Sequence, residues 1–210
     1  MNMALIRNSF RLLTTGIVFL ILGITMIVIS VINMIDNAKT PSDYSTLQME
    51  DFKNGMIIEG YLPYNYGAYE FIQSESDSGN TTYDGEYFLI DAGDEGFMGL
   101  YTPDNNLMSQ LEKQSDDFYN YVNLVSDEYP ESIYFKGKVR RMDSEDVSIY
   151  HSFMTSWGYT QEEIDETCLE LYIEVKDISS SPALLAIGSV VALGGVLFCI
   201  LFVKRKLMGR

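Results

Sequence analysis

His151 is the single histidine of the chain, so a nucleophilic triad or a zinc site built here would have to run through it. No H-x-x-x-H, C-x-x-C or G-x-S-x-G surrounds it. It falls instead on a helical stripe with Val147, Tyr150, Met154 and Trp157, which reads as a half-buried helix residue. Cys168, one of two cysteines, sits among apolar residues at a helix-to-strand junction and reads as a small buried hydrophobe rather than a nucleophile. The acidic turn Asp91-Ala92-Gly93-Asp94-Glu95-Gly96 carries the hard oxygen ligands that calcium takes. It lacks the D-x-[DN]-x-[DN]-G spacing and the distal glutamate, and a hairpin turn needs Gly and Asp for backbone reasons alone. The acidic loop at 77–86 is equally short of a motif. No cofactor or metal is expected.

Four of the eight bases in the central stretch fall within six residues: Lys136, Lys138, Arg140 and Arg141. On a strand, the first three share a face. They form either an anion or partner surface, or cross-strand pairs with acids such as Glu170 and Glu174. In so acidic a stretch the pairs are the better reading. Tyrosine is abundant, with Tyr61, Tyr64, Tyr66 and Tyr69 close together. Such rings stack on flat ligands, and they also pack pleated surfaces, which is the expectation here.

The elements that must hold these residues follow from charge and hydropathy. The 210 residues include 30 acids and 14 bases, for a net charge of −16, yet 47% are apolar. The composition is segregated. All 30 acids lie between Asp36 and Asp177 with only eight bases, a local charge of −22. A soluble single domain, a disordered chain and a disulfide-stapled mini-protein are excluded. A nucleic-acid partner is excluded too, because such a surface repels phosphate.

Residues 12–35 and 182–203 are uncharged and apolar, each long enough to cross a bilayer as a helix. The first exceeds the apolar core of a cleavable signal and no A-x-A site follows it, so it is expected to be retained. Six bases lie on the tails 1–11 and 204–210. The positive-inside rule then puts both tails in the cytoplasm of a two-pass plasma-membrane protein, with 36–181 outside. Cys168 and Cys199 are thereby kept apart, and no disulfide between them is expected. Gly16 and Gly23 share a face of the first span; Gly188, Ala192 and Gly195 share one on the second. An antiparallel hairpin would bring Gly23 and Ala192 to similar depth, although a partner's helix could use the same faces.

Within 36–181, a polar stalk at 36–45 and a hinge at 179–182 bracket one domain. Residues 56–62 and 64–72 suit strands, 74–85 a polar loop, and 86–91 with 96–101 a hairpin. Thr102-Pro103 reads as the start of an amphipathic helix carrying Leu107, Leu111, Phe118, Val122 and Val125. Residues 132–142 alternate as a strand and Val147–Trp157 forms a second helix. Thr160-Gln161-Glu162-Glu163 is a capping box opening a third, and 169–176 is a last alternating strand. The fold expected is α+β: a small, partly open barrel resembling an OB-fold, bent at Gly137, with packed helices and carried on two transmembrane helices. A flat antiparallel sheet with helices on one face is the other arrangement compatible with the order.

The hairpin YFLIDAGDEGFMGLYTP, the strand SIYFKGKVRRM and the closing LYIEVKD together resemble a family of two-span membrane proteins of Gram-positive, clostridia-type bacteria with an extracytoplasmic OB-like domain. The resemblance implies a bacterial plasma membrane and carries over no catalytic residue. The function expected is non-enzymatic binding through the outer domain, with the bilayer and a membrane protein or second copy as partners. The alternatives are an accessory subunit docking through Gly188, Ala192 and Gly195, and an envelope hydrolase using paired carboxylates.

Overall fold

A computed structural model describes residues 3–75, 81–93, 96–175 and 181–208. The chain divides into two compact units, Met1–Lys39 with Asp177–Arg210, and Thr40–Lys176. The hinge at 179–180, Asp94 and Glu95 of the acidic turn, and 76–80 of the polar loop lie outside the described residues.

The first unit pairs α1 (Met3–Asn37) with α5 (Ser181–Met208). Their stretches Leu13–Asp36 and Pro182–Lys204 are long and apolar enough to span a membrane. The helices run antiparallel, and the glycines marked in the sequence are where they touch. A Cβ on Gly23 would stand 2.5 Å from the backbone nitrogen of Ala192, and one on Gly195 would stand 2.7 Å from that of Leu20. Gly16 abuts Cys199 and Gly188 abuts Met26 in the same way. Gly16, Gly23 and Ser30 are buried at seven-residue intervals, the seam expected of two helices wound left-handedly. The hydroxyls of Thr25 and Ser189 donate to carbonyls four residues back, so neither needs an outside partner. Side chains away from the seam point outward; Val190 is 70% exposed. An apolar surface of that kind is at home in hydrocarbon.

The second unit is a seven-stranded sheet: β1 (Ser42–Asp43), β2 (Ile57–Leu62), β3 (Ala68–Glu75), β4 (Thr81–Asp91), β5 (Phe97–Thr102), β6 (Ile133–Arg141) and β7 (Cys168–Val175). The spatial order is β1-β2-β6-β7-β5-β4-β3. The β1–β2 and β5–β7 pairs are parallel and the rest antiparallel. The sheet is open, with β1 and β3 as its edges, so one mixed sheet stands where a partly open OB-like barrel was expected. Gly137 has a different purpose from a barrel corner. There β7 comes so close that a Cβ would lie 2.5 Å from the Ile173 side chain and 2.8 Å from the Glu174 carbonyl oxygen.

Helices cover both faces rather than one. On the first face Ile58, Phe88, Ile90, Leu100, Val139 and Ile173 pack against Met108 and Leu111 of α2 (Asn105–Val122). On the second, Tyr69, Tyr87, Leu89 and Phe97 pack against Tyr150 and Met154 of α3 (Ser144–Ser156) and Ile164 of α4 (Gln161–Thr167). The strict alternation from Tyr87 to Ile90 is what feeds two cores from one strand.

Several boundaries differ from expectation for local reasons. β3 begins at Ala68, not Tyr64, because buried Asn65 holds the chain in a loop. Its amide donates to the Leu111 carbonyl and to Gln114 Oε1, and its Oδ1 accepts from the Gly67 N–H. α2 starts after Asp104, whose carboxylate accepts from the N–H groups of Asn106 and Leu107, so Thr102 ends β5 instead of capping the helix. α2 also stops at Val122, leaving Val125 outside it. The expected loop at 74–85 shrinks because β3 reaches Glu75 and β4 begins at Thr81. The capping box forms as read, with Thr160 N–H donating to Glu163 and Glu163 N–H to the Thr160 hydroxyl.

Candidate functional site

The basic strand is β6, and its alternating bases find acids. Lys136 stands opposite Glu59 of β2, with Nζ 3.5 Å from Oε2. Arg140 Nε donates to Glu174 Oε2 at 2.9 Å, and Lys138 is in register with Glu174. Glu170 contributes its backbone, accepting from the Met142 N–H. Arg141, one residue out of phase, belongs to the opposite face. These pairs lie on a solvated sheet face, where each contributes about 0–1 kcal/mol.

The tyrosines gather around Asp91. Tyr64 and Tyr66 donate to its two carboxylate oxygens at 2.5 and 2.8 Å, and Tyr44 donates to its carbonyl at 2.6 Å. Tyr64 also stacks flat on Phe118 with ring centroids 4.4 Å apart. Burial, then the bond to Asp91, pushes the Tyr64 hydroxyl up to about 12, so it remains a donor. The acidic turn thus begins on a carboxylate already committed to ordering aromatic side chains.

A second cluster lies under the N-terminus of α3. A bulge between Ala68 and Glu70 turns two consecutive side chains, Tyr69 and Glu70, inward. Glu70 is only 8% exposed and faces Asp143, Glu145 and Asp146. Its Oε2 and the Tyr69 hydroxyl have no hydrogen-bond partner among the described residues, while the Tyr87 hydroxyl donates to Asp146 Oδ2 at a long 3.4 Å. Burial first, then repulsion from Asp146, Asp143 and Glu145, raises Glu70 from 4.5 to about 7. Asp146 is raised as well, again chiefly by burial. Glu70 therefore keeps its proton toward neutral pH. On the other face, Glu86 accepts from the Tyr83 hydroxyl through one oxygen, leaves the other without a partner among the described residues and is raised by burial and by Glu112.

His151 is half-exposed on α3 and Cys168 is buried, its thiol pushed up by burial. Among the described residues no three His, Cys, Asp or Glu side chains converge as metal ligands.

Residues 7–205 match the family described as a domain of unknown function, DUF8577. The chain belongs to the DUF8577 family. No curated protein and no solved structure matches it. The DUF8577 match takes in both apolar helices as well as the sheet, so the family is defined by the two units together.

Of the DUF8577 residues that carry unusual chemistry, sequence reasoning reached the glycine seam and the basic strand but missed Glu70 and Asp146. They are far apart in the chain, and Glu70 reads as one exposed position in an aromatic strand. The signal available was an acid set in AYEFI, a segment otherwise apolar enough to be buried.

Proposed function

We propose that this DUF8577 protein is a two-pass bacterial plasma-membrane protein whose acidic unit works outside the cytoplasm as a binding module. The observation that carries the reading is the antiparallel seam between α1 and α5. It brings the two helix ends bearing the basic tails to the same side, and those bases favour the cytoplasmic face. The acidic unit is then left on the far side of the bilayer. Binding is favoured over catalysis because two of the three carboxylates with raised proton affinity, Glu70 and Glu86, are almost fully covered and the third, Asp146, is half-buried. A hydrolase would need such a pair open to substrate. The accessory-subunit reading is weakened by the seam as well, since Gly188, Ala192 and Gly195 are occupied in holding α1.

Thiol labelling tests the arrangement. In a variant without its own cysteines, a membrane-impermeant maleimide should label Glu128→Cys on intact cells and Lys206→Cys only after permeabilisation. The opposite pattern would reject the reading.

A further inference from the structure

Two helices of the sheet unit end in the same hydrogen-bond motif, and the residue at its left-handed position differs. At the end of α3, Gly158 (φ +97°) donates to the Thr155 carbonyl and Tyr159 to that of Met154. At the end of α2, Leu124 (φ +58°) donates to the Tyr121 carbonyl and Val125 to that of Asn120. Glycine is the usual occupant because it has no Cβ to clash, and a leucine there costs about 1 kcal/mol. Leu124 is the only non-glycine with such a φ among the described residues.

Among the described residues of its own unit, no burial of the Leu124 side chain offsets that cost. Leu124 is 89% exposed and Val125 74%. The apolar contact that normally accompanies the motif is present at α3, where Met154 is buried and Tyr159 half-buried. At α2 the matching positions are Asn120 and Val125, one polar and one exposed. Val122 is exposed too, and the exposed rings of Tyr121 and Tyr129 touch at 5.1 Å. The result is a protruding apolar knuckle. Asp116, Asp117, Asp127, Glu128 and Glu131 lie on either side of it in sequence, and the nearby base, Lys113, is bound to Asp117 at 2.8 Å.

We propose that this knuckle docks a basic protein partner, which receives Leu124 in an apolar socket rimmed by lysine and arginine. The acids select the occupant. A second copy would set two acidic rims against each other, and an anionic bilayer would repel them. The proposal rests on the binding-module reading and names the partner class and the contact.

The test uses the full chain in zwitterionic lipid nanodiscs and a labelled amphipathic peptide of leucine and lysine alone. Fluorescence anisotropy is read against empty nanodiscs at physiological ionic strength. Leu124→Gly should weaken binding about tenfold or more. It should also raise the unfolding temperature, because glycine suits the φ, and this separates lost contact from lost fold. A leucine–glutamate peptide should not bind. Equal affinity of the wild type and Leu124→Gly would overturn the docking site while leaving a binding role for the acidic surface. Dimerisation abolished by Leu124→Gly, or tighter attachment to anionic vesicles than to the peptide, would overturn the partner class. No binding of the peptide to the wild type would overturn the proposal as a whole, whereas only the thiol-labelling result bears on the topology.

Discussion

The two faces of the sheet are built from different materials. The face under α2 is apolar at its centre, with Ile58, Phe88, Ile90 and Leu100 out of reach of water, although it also buries Glu86. The face under α3 and α4 buries tyrosines, and beside them one oxygen of Glu70 and two hydroxyls, of Tyr69 and Tyr150, that have no hydrogen-bond partner among the described residues. Apolar burial is indifferent to pH; a buried carboxyl is not. One strand, β4, serves both faces through alternate side chains, so adjacent residues answer to different conditions.

Three substitutions break or sharpen that contrast, each followed through the fluorescence of Trp157, the single tryptophan, which lies in the sheet unit. Phe88→Ala should have the largest effect, a loss of about 3–5 kcal/mol at any pH, because the close-packed apolar face cannot collapse around the void. A much smaller loss would mean that this face is not the main store of stability. Glu70→Gln comes next, and its effect depends on pH. The folded unit holds the Glu70 proton more tightly than the unfolded chain does, so this contribution is complete below the ordinary glutamate value of 4.5. It fades as pH rises through about 7. Wild-type stability should therefore increase by up to about 3 kcal/mol as pH falls from about 8 to about 5, and Gln should flatten that slope. Asp146 and Glu86, shifted the same way, steepen the slope, whereas exposed Glu163 is shifted downward and acts at lower pH. An unchanged slope in the variant would remove Glu70 from the account. Tyr69→Phe should be the mildest, a gain of about 1 kcal/mol or less, since the hydroxyl removed has no partner to lose. A marked loss would reveal a bond the hydroxyl makes.

Much of this was readable from residue order because single-element patterns carry it. β6 shows period-two alternation from Ile133 to Val139, the Thr160 box declares its helix, and the glycines at 16, 23, 188 and 195 share faces that meet. What failed to show is what two distant segments decide together. A helical stripe says that α2 is covered on one side without saying which face of the sheet covers it. Gly137 records a close approach, and only the position of β7 distinguishes that from a barrel corner. The inward turn of Glu70 depends on a bulge set by β4, and its company on a helix far along the chain.

The place of β7 has a consequence for biogenesis. β1, β2 and β6 form one ribbon and β5, β4 and β3 another, and β7, the latest strand to be synthesised, is the seam between them. The nascent chain can build each ribbon early, but it cannot join them until residue 175 has cleared the ribosome, immediately ahead of α5. Completion of the sheet and emergence of α5 from the ribosome are therefore consecutive events, and a chain cut short before Cys168 would leave two unjoined ribbons with raw edges facing one another.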